Sequence, residues 1–89
     1  MKMVVNKCFG GFGVKDSYAE ELGLDPFDND TNRLNSQLIE LVESGIDCAD
    51  SFAKLQVVEI PDTATDYEVN DYDGFESVIY VVDGKLHHI

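Results

Sequence analysis

Hydrophobic positions in this chain come in short blocks, and their spacing changes twice along its length. Met3, Val4 and Val5 are contiguous, which predicts a strand covered on both faces and running from Lys2 to Phe9. Gly10, Gly11 and Gly13 break that strand, since glycine allows positive φ and close backbone approach. The spacing then lengthens to three and four. Tyr18 and Leu22 predict the buried face of a short helix over residues 16–22. Asp16 or Ser17 is its expected cap, Ser17-Tyr18-Ala19-Glu20 fits a capping box, and Gly23 is its stop. Residues 25–32 read as a loop from their Pro, Asn and Asp content. A second helix, from Leu34 or Ser36 to Ser44, is predicted by the stripe of Leu34, Leu38, Leu41 and Val42 with Ile39 on its flank. Asn35 is its expected N-cap and Gly45 its stop, with Glu40 and Glu43 pointing away.

After an irregular stretch over residues 46–52 the spacing shortens again. Lys54 to Ile60 is rich in β-branched residues and halted by Pro61. Tyr67–Tyr72 and Ser77–Val82 predict two more strands, separated by an Asp73-Gly74 turn. Asp83-Gly84 is the strongest hairpin signal, leading into Lys85–Ile89. A two-residue type I′ loop there sets Val82 opposite Lys85, Val81 opposite Leu86, Tyr80 opposite His87 and Ile79 opposite His88. The expected fold is α+β: a small two-layer sandwich with one N-terminal strand, two helices, then a three- to four-stranded, mostly antiparallel meander. The first strand is expected to pair with the 54–60 strand, the helices forming the connection. The 89 residues make a single domain, 1–89. The apolar 77–82 strand would offer a dimer interface if it lay at a sheet edge.

Charge changes this picture most. Eighteen carboxylates face six basic residues, for a net charge of −12. No Lys or Arg lies between Lys54 and Lys85, whereas Asp62, Asp66, Glu68, Asp71, Asp73 and Glu76 do, and these six form the expected acidic interaction face. Such a surface repels phosphate backbones, so no direct nucleic-acid binding is expected. It suits a protein partner with a basic surface, and it also keeps a small protein in solution. No apolar run approaches the roughly 20 residues of a membrane span, and the first residues lack a signal-peptide apolar region, so a cytosolic protein without membrane contact is expected. Two cysteines, Cys8 and Cys48, make no disulfide framework.

Strand, glycine-rich turn and helix in succession is the topology of phosphate cradles. Lys7, Cys8, Gly10, Gly11, Gly13 and Lys15 are therefore the candidate ligand-binding residues for a nucleotide or other small ligand. The segment matches neither G-x-G-x-x-G nor a Walker motif, because Val14-Lys15-Asp16-Ser17 follows the glycines. The competing reading is a tight turn in which Phe9 and Phe12 fill the core. A Cys8 thiol near a helix N-terminus is a candidate nucleophile, but no base is placed beside it by any spacing. His87 and His88 are adjacent on a strand and point to opposite faces. Asp28-Asn29-Asp30-Thr31-Asn32 opens like a calcium loop, yet Arg33 replaces the sharp-turn glycine and Ile39 stands at the bidentate glutamate position. No catalytic residue, metal ligand or cofactor is assigned, and binding is expected in place of enzyme activity.

Several blocks together resemble a family of small uncharacterised phage and prophage proteins. Val4 to Gly13 is similar to the family's opening, I-N-K-C-[FY]-G-G-F. Leu38-Ile39-Glu40-Leu41-Val42-Glu43, then Ala53 to Asp62 with its Leu55-Gln56-Val57-Val58-Glu59-Ile60-Pro61-Asp62 core, then Tyr72-Asp73-Gly74 resemble later family blocks in the same order. The chain departs from the family in having only the 25–32 loop where members carry extra sequence, and in ending Leu86-His87-His88-Ile89 where members are charged. The resemblance implies a phage-encoded accessory protein acting in the host bacterial cytoplasm. It would bind a host or phage protein and interfere with a host or defence component, for example by presenting carboxylates in place of phosphates.

Overall fold

The computed structural model describes residues 1–89. Its first strand, β1 (Lys2–Asn6), is followed by three helices, α1 (Asp16–Leu22), α2 (Asn29–Asn32) and α3 (Ser36–Glu43). Four strands come next: β2 (Leu55–Glu59), β3 (Asp66–Tyr72), β4 (Phe75–Val82) and β5 (Lys85–His88). The class is α+β, with the strands divided between two small antiparallel sheets, β1-β2 and β3-β4-β5.

β1 is the middle of the molecule. Met3, Val4 and Val5 are all fully buried, because the alternation of a strand sends them to opposite faces. Met3 and Val5 join Val58, Ile60 and Val78 in a core between the two sheets. Val4 points the other way, to Leu38, Cys48 and the partly buried Tyr18, Leu22 and Val42 of the helical layer. Each such side chain contributes about 1.5–3 kcal/mol through burial. The helices form the connection between β1 and β2, as their order in the sequence requires.

Local chemistry accounts for most boundaries. Asn35 caps α3, its side chain accepting from the Leu38 N–H at 2.9 Å. Gly23 takes the left-handed conformation at the end of α1 (φ 68°). Two hairpins turn on Asp73-Gly74 and Asp83-Gly84, all four residues having positive φ. The second gives the expected register, with Val82 opposite Lys85 and Ile79 opposite His88.

Four local expectations are corrected. α1 is capped at Lys15 without a side-chain hydrogen bond, so neither Asp16, Ser17 nor the capping box serves there. Residues 29–32 are a helical turn, because the Asp28 carboxylate accepts from the Thr31 N–H and Asn32 ties back to the Asp25 backbone. Leu34 precedes α3 and is half-exposed. β4 is the central strand of its sheet, which leaves β3 and β5 as the edges.

Candidate functional site

The first strand ends at Asn6, three residues before the expected end at Phe9, and the Asn6 side chain there ties three segments together. Its amide donates to the carbonyls of Cys8 and Gly74, each at 2.6 Å, and its oxygen accepts from the Lys54 N–H at 2.8 Å. The glycine loop is thereby pinned beneath the β3–β4 turn. Gly10 N–H donates to the Asp73 carbonyl at 3.0 Å. A Cβ on Gly10 would meet the Phe52 carbonyl at 2.5 Å, and one on Gly74 would overlap the Gly11 nitrogen. Gly10 is there for close backbone approach, Gly11 has a positive φ of 108° with open space around it, and a Cβ on Gly13 would overlap the Asp50 carboxylate. The loop's backbone packs against another turn, and the Gly10 N–H is already engaged.

Beneath this junction lies a buried ion pair. Arg33, the only arginine of the chain, and Glu76 are both at least nine-tenths buried. Their guanidinium and carboxylate meet through two parallel hydrogen bonds, Nη1 to Oε1 at 2.6 Å and Nη2 to Oε2. The pair also closes the outer edge of β1. Val4 N–H donates to the Arg33 carbonyl at 2.9 Å, Arg33 Nη1 donates to the Val4 carbonyl at 3.3 Å, and Asn6 N–H donates to Glu76 Oε1 at 2.7 Å. Polar backbone groups that would otherwise be buried without partners are satisfied by one side-chain pair. The Phe12 ring lies over the guanidinium, 4.5 Å from ring centroid to the central carbon. Arg33 Nε has no partner.

Glu76 is thus set apart from the other residues of the expected acidic face, because its carboxylate points inward to Arg33. The remaining five carboxylates lie along the exposed edge strand β3 and the turns at its ends: Asp62 before it, Asp66, Glu68 and Asp71 on it, Asp73 after it. Asp62 pairs with the terminal amine at 3.0 Å, while the other four have no cationic partner.

Among the candidate ligand residues, Lys7 is spent within the fold. Its ammonium donates to the Glu76 carbonyl at 2.7 Å and sits 5.3 Å from the centroid of the Phe75 ring. Lys15 donates to the Asp47 carbonyl at 2.9 Å. Cys8 is half-buried, with its thiol directed to the Phe9 carbonyl at 3.6 Å. Cys48 is buried in the helical layer, and burial pushes its thiol above the ordinary range. His87 stacks on Tyr80, ring centroids 5.2 Å apart. No three Asp, Glu, His or Cys side chains are clustered so as to hold a metal ion.

Phe9 does not fill the core. Its ring is 64 % exposed and lies against Tyr72 and Phe75, with centroids 6.5 and 5.5 Å away. The glycine loop turns Phe9 outward while Phe12 goes inward over Arg33. A cleft of about 380 Å³ opens on the other side of the loop, lined in part by Phe12, Leu24 and Pro26 and by the carboxylates of Asp16, Glu20 and Asp50.

Sequence reasoning missed the Arg33–Glu76 pair and the aromatic cluster. The one available signal for the first was the solitary arginine in so acidic a chain. For the second it was two aromatics, Tyr72 and Phe75, bracketing a hairpin turn. No protein family, curated protein or solved structure matches this chain. No helix is long and apolar enough to cross a membrane.

Proposed function

We propose that this protein acts by binding, as a phage-encoded accessory protein that engages a basic surface of a host or phage protein in the bacterial cytoplasm. Interference with a host or defence component would follow from occupying that surface. The observation that carries the reading is the acidic edge strand: Asp66, Glu68 and Asp71 on β3, and Asp73 beyond it, without a single cationic neighbour in ion-pair contact. Unpaired carboxylates on a protein of net charge −12 sustain a negative field that steers a positive surface and repels nucleic acid. The resemblance to phage proteins supplies the biological setting.

The small-ligand reading of the glycine loop has weaker support. The Gly10 N–H is engaged by Asp73, Lys7 and Lys15 bind carbonyls, and the cleft beside the loop is rimmed by carboxylates that repel a phosphate.

Affinity capture from bacterial lysate at increasing salt tests the proposal. A variant with Asp66→Asn, Glu68→Gln, Asp71→Asn and Asp73→Asn keeps the shape of the edge and removes its charge. Proteins retained by the native chain at low salt should be released as salt rises and should be lost from the variant. Capture of nothing at low salt, or of the same proteins by both chains, overturns it.

A further inference from the structure

Phe9, Tyr72 and Phe75 form a contiguous aromatic cluster on the surface, Phe9 64 %, Tyr72 74 % and Phe75 37 % exposed. Phe9 and Tyr72 are left largely in water beside the partly covered Phe75, and exposed aromatic patches of this kind mark interaction sites. The mount beneath them is rigid. Phe9 is held by the Asn6 and Gly10 hydrogen bonds to the β3–β4 turn, and Tyr72 and Phe75 are the facing pair that closes the hairpin. Aromatic side chains fixed before binding lose little entropy on contact, which is the property of interface anchors.

Charge decides what covers the cluster. Lys7 already holds one ring, its ammonium 5.3 Å from the Phe75 centroid, which leaves Phe9 and Tyr72 as the open faces. Asp71 and Asp73 stand on either side of Tyr72 in the chain; Asp71 shares the face of its cross-strand partner Glu76 and accepts from the Gly74 N–H at 2.7 Å, whereas Asp73 lies in the turn next to Tyr72. A second copy of the chain would bring another −12 charge and the same flanking carboxylates against it. Single-stranded nucleic acid stacks on aromatic platforms, but it would bring phosphates to the same carboxylates. A planar guanidinium satisfies both features at once: it stacks on an aromatic face and hydrogen-bonds a carboxylate in its own plane, which an ammonium does not. We propose that the open faces of Phe9 and Tyr72, braced by Phe75 and with Asp73 next to Tyr72 in the turn, are an anchor site for arginine side chains of a basic protein segment. This deepens the binding function proposed above and rests on it.

The test compares nona-arginine with nona-lysine, titrated into the isotopically labelled full chain at about 0.15 M salt, where long-range attraction between exposed charges is screened. Nona-arginine should bind several-fold more tightly than nona-lysine, with its largest shift changes at Phe9, Tyr72 and Phe75. Phe9→Ala combined with Tyr72→Ala changes only exposed rings and should weaken nona-arginine several-fold, to the level of nona-lysine. Phe9→Leu, which keeps apolar area without a π face, should weaken it too. Equal affinity for the two peptides, or shifts confined to Asp62, Asp66 and Glu68 and unmoved by these variants, overturns the anchor and leaves the acidic-edge function standing. Binding of neither peptide overturns both. Oligothymidine shifting the same three rings, or self-association abolished by the double variant, overturns the choice of partner.

Discussion

Arg33 and Glu76 show how a residue pair takes the place of a strand. β1 is the second strand of a two-stranded sheet, so its outer N–H and C=O groups have no ladder partner. The bidentate pair satisfies the Val4 carbonyl and the Asn6 N–H while neutralising itself. Removing one partner of a buried pair leaves an uncompensated charge, at about 3–5 kcal/mol. A chain of this length has only about 5–10 kcal/mol of total stability. Glu76→Ala should therefore lower the urea midpoint drastically. Glu76→Gln keeps an oxygen for the Asn6 N–H and should lose less. A Glu76→Ala variant within about 1 kcal/mol of the native chain would show that the pair is dispensable.

Cys48 gives the residue scale its pH dependence. Burial raises its thiol above the ordinary value of 9.0, ahead of the smaller effect of Asp47. The unfolded chain therefore loses this proton at lower pH than the folded one. Stability should be insensitive to Cys48 below pH 9 and should fall as pH rises beyond it, toward the raised value. Urea unfolding between about pH 8 and pH 10.5 should show a shallower alkaline decline in Cys48→Ala than in the native chain.

Between elements, the contact that matters is the seat of the β3–β4 turn on the glycine loop. Gly74 and Gly84 occupy matching hairpin positions with φ of 87° and 73°. The space around Gly84 is open, whereas a Cβ on Gly74 would run into the Gly10 and Gly11 backbone. Gly84→Ala should cost only the left-handed strain of an alanine, about 1–2 kcal/mol. Gly74→Ala adds the overlap, a further ~1–3 kcal/mol. It should also disturb the amide resonances of Cys8 to Gly11, which Gly84→Ala should leave in place. Equal loss from the two substitutions would mean that the loop yields to the turn without resistance.

Across the whole molecule, charge and exposed rings are segregated along one route. β3 carries the uncompensated carboxylates from Asp66 to Asp71, then ends at Tyr72 in the aromatic cluster. The long-range attraction and the short-range anchoring proposed above thus share one edge. The ring-deleted variant separates them, since it should reduce only the preference for arginine, whereas the charge-neutralised variant, which also alters Asp71 and Asp73, should reduce salt-sensitive binding in general.

The sequence alone determined what depends on neighbours a few residues apart. Gly23, Asn35, Asp73-Gly74 and Asp83-Gly84 carry their conformations in their own chemistry, and the 82–85 register followed from the second turn. The contiguous Met3-Val4-Val5 announced a strand buried on both faces, and the β-branched run at 54–60 announced the strand that the structure places at Leu55–Glu59. The cap of α1 and the turn of helix at Asn29–Asn32 were misread because short polar side chains fit loops and caps equally well. Only the tertiary structure decided that the strands split into two sheets, that Glu76 leaves the acidic surface for Arg33, and that Phe9 turns outward while Phe12 turns inward. Those outcomes join residues up to 70 positions apart, and nothing in local spacing records which distant backbone group a side chain will meet. The glycines of residues 10–13 signalled a close approach in the sequence; the structure identified the partner as the turn at Gly74.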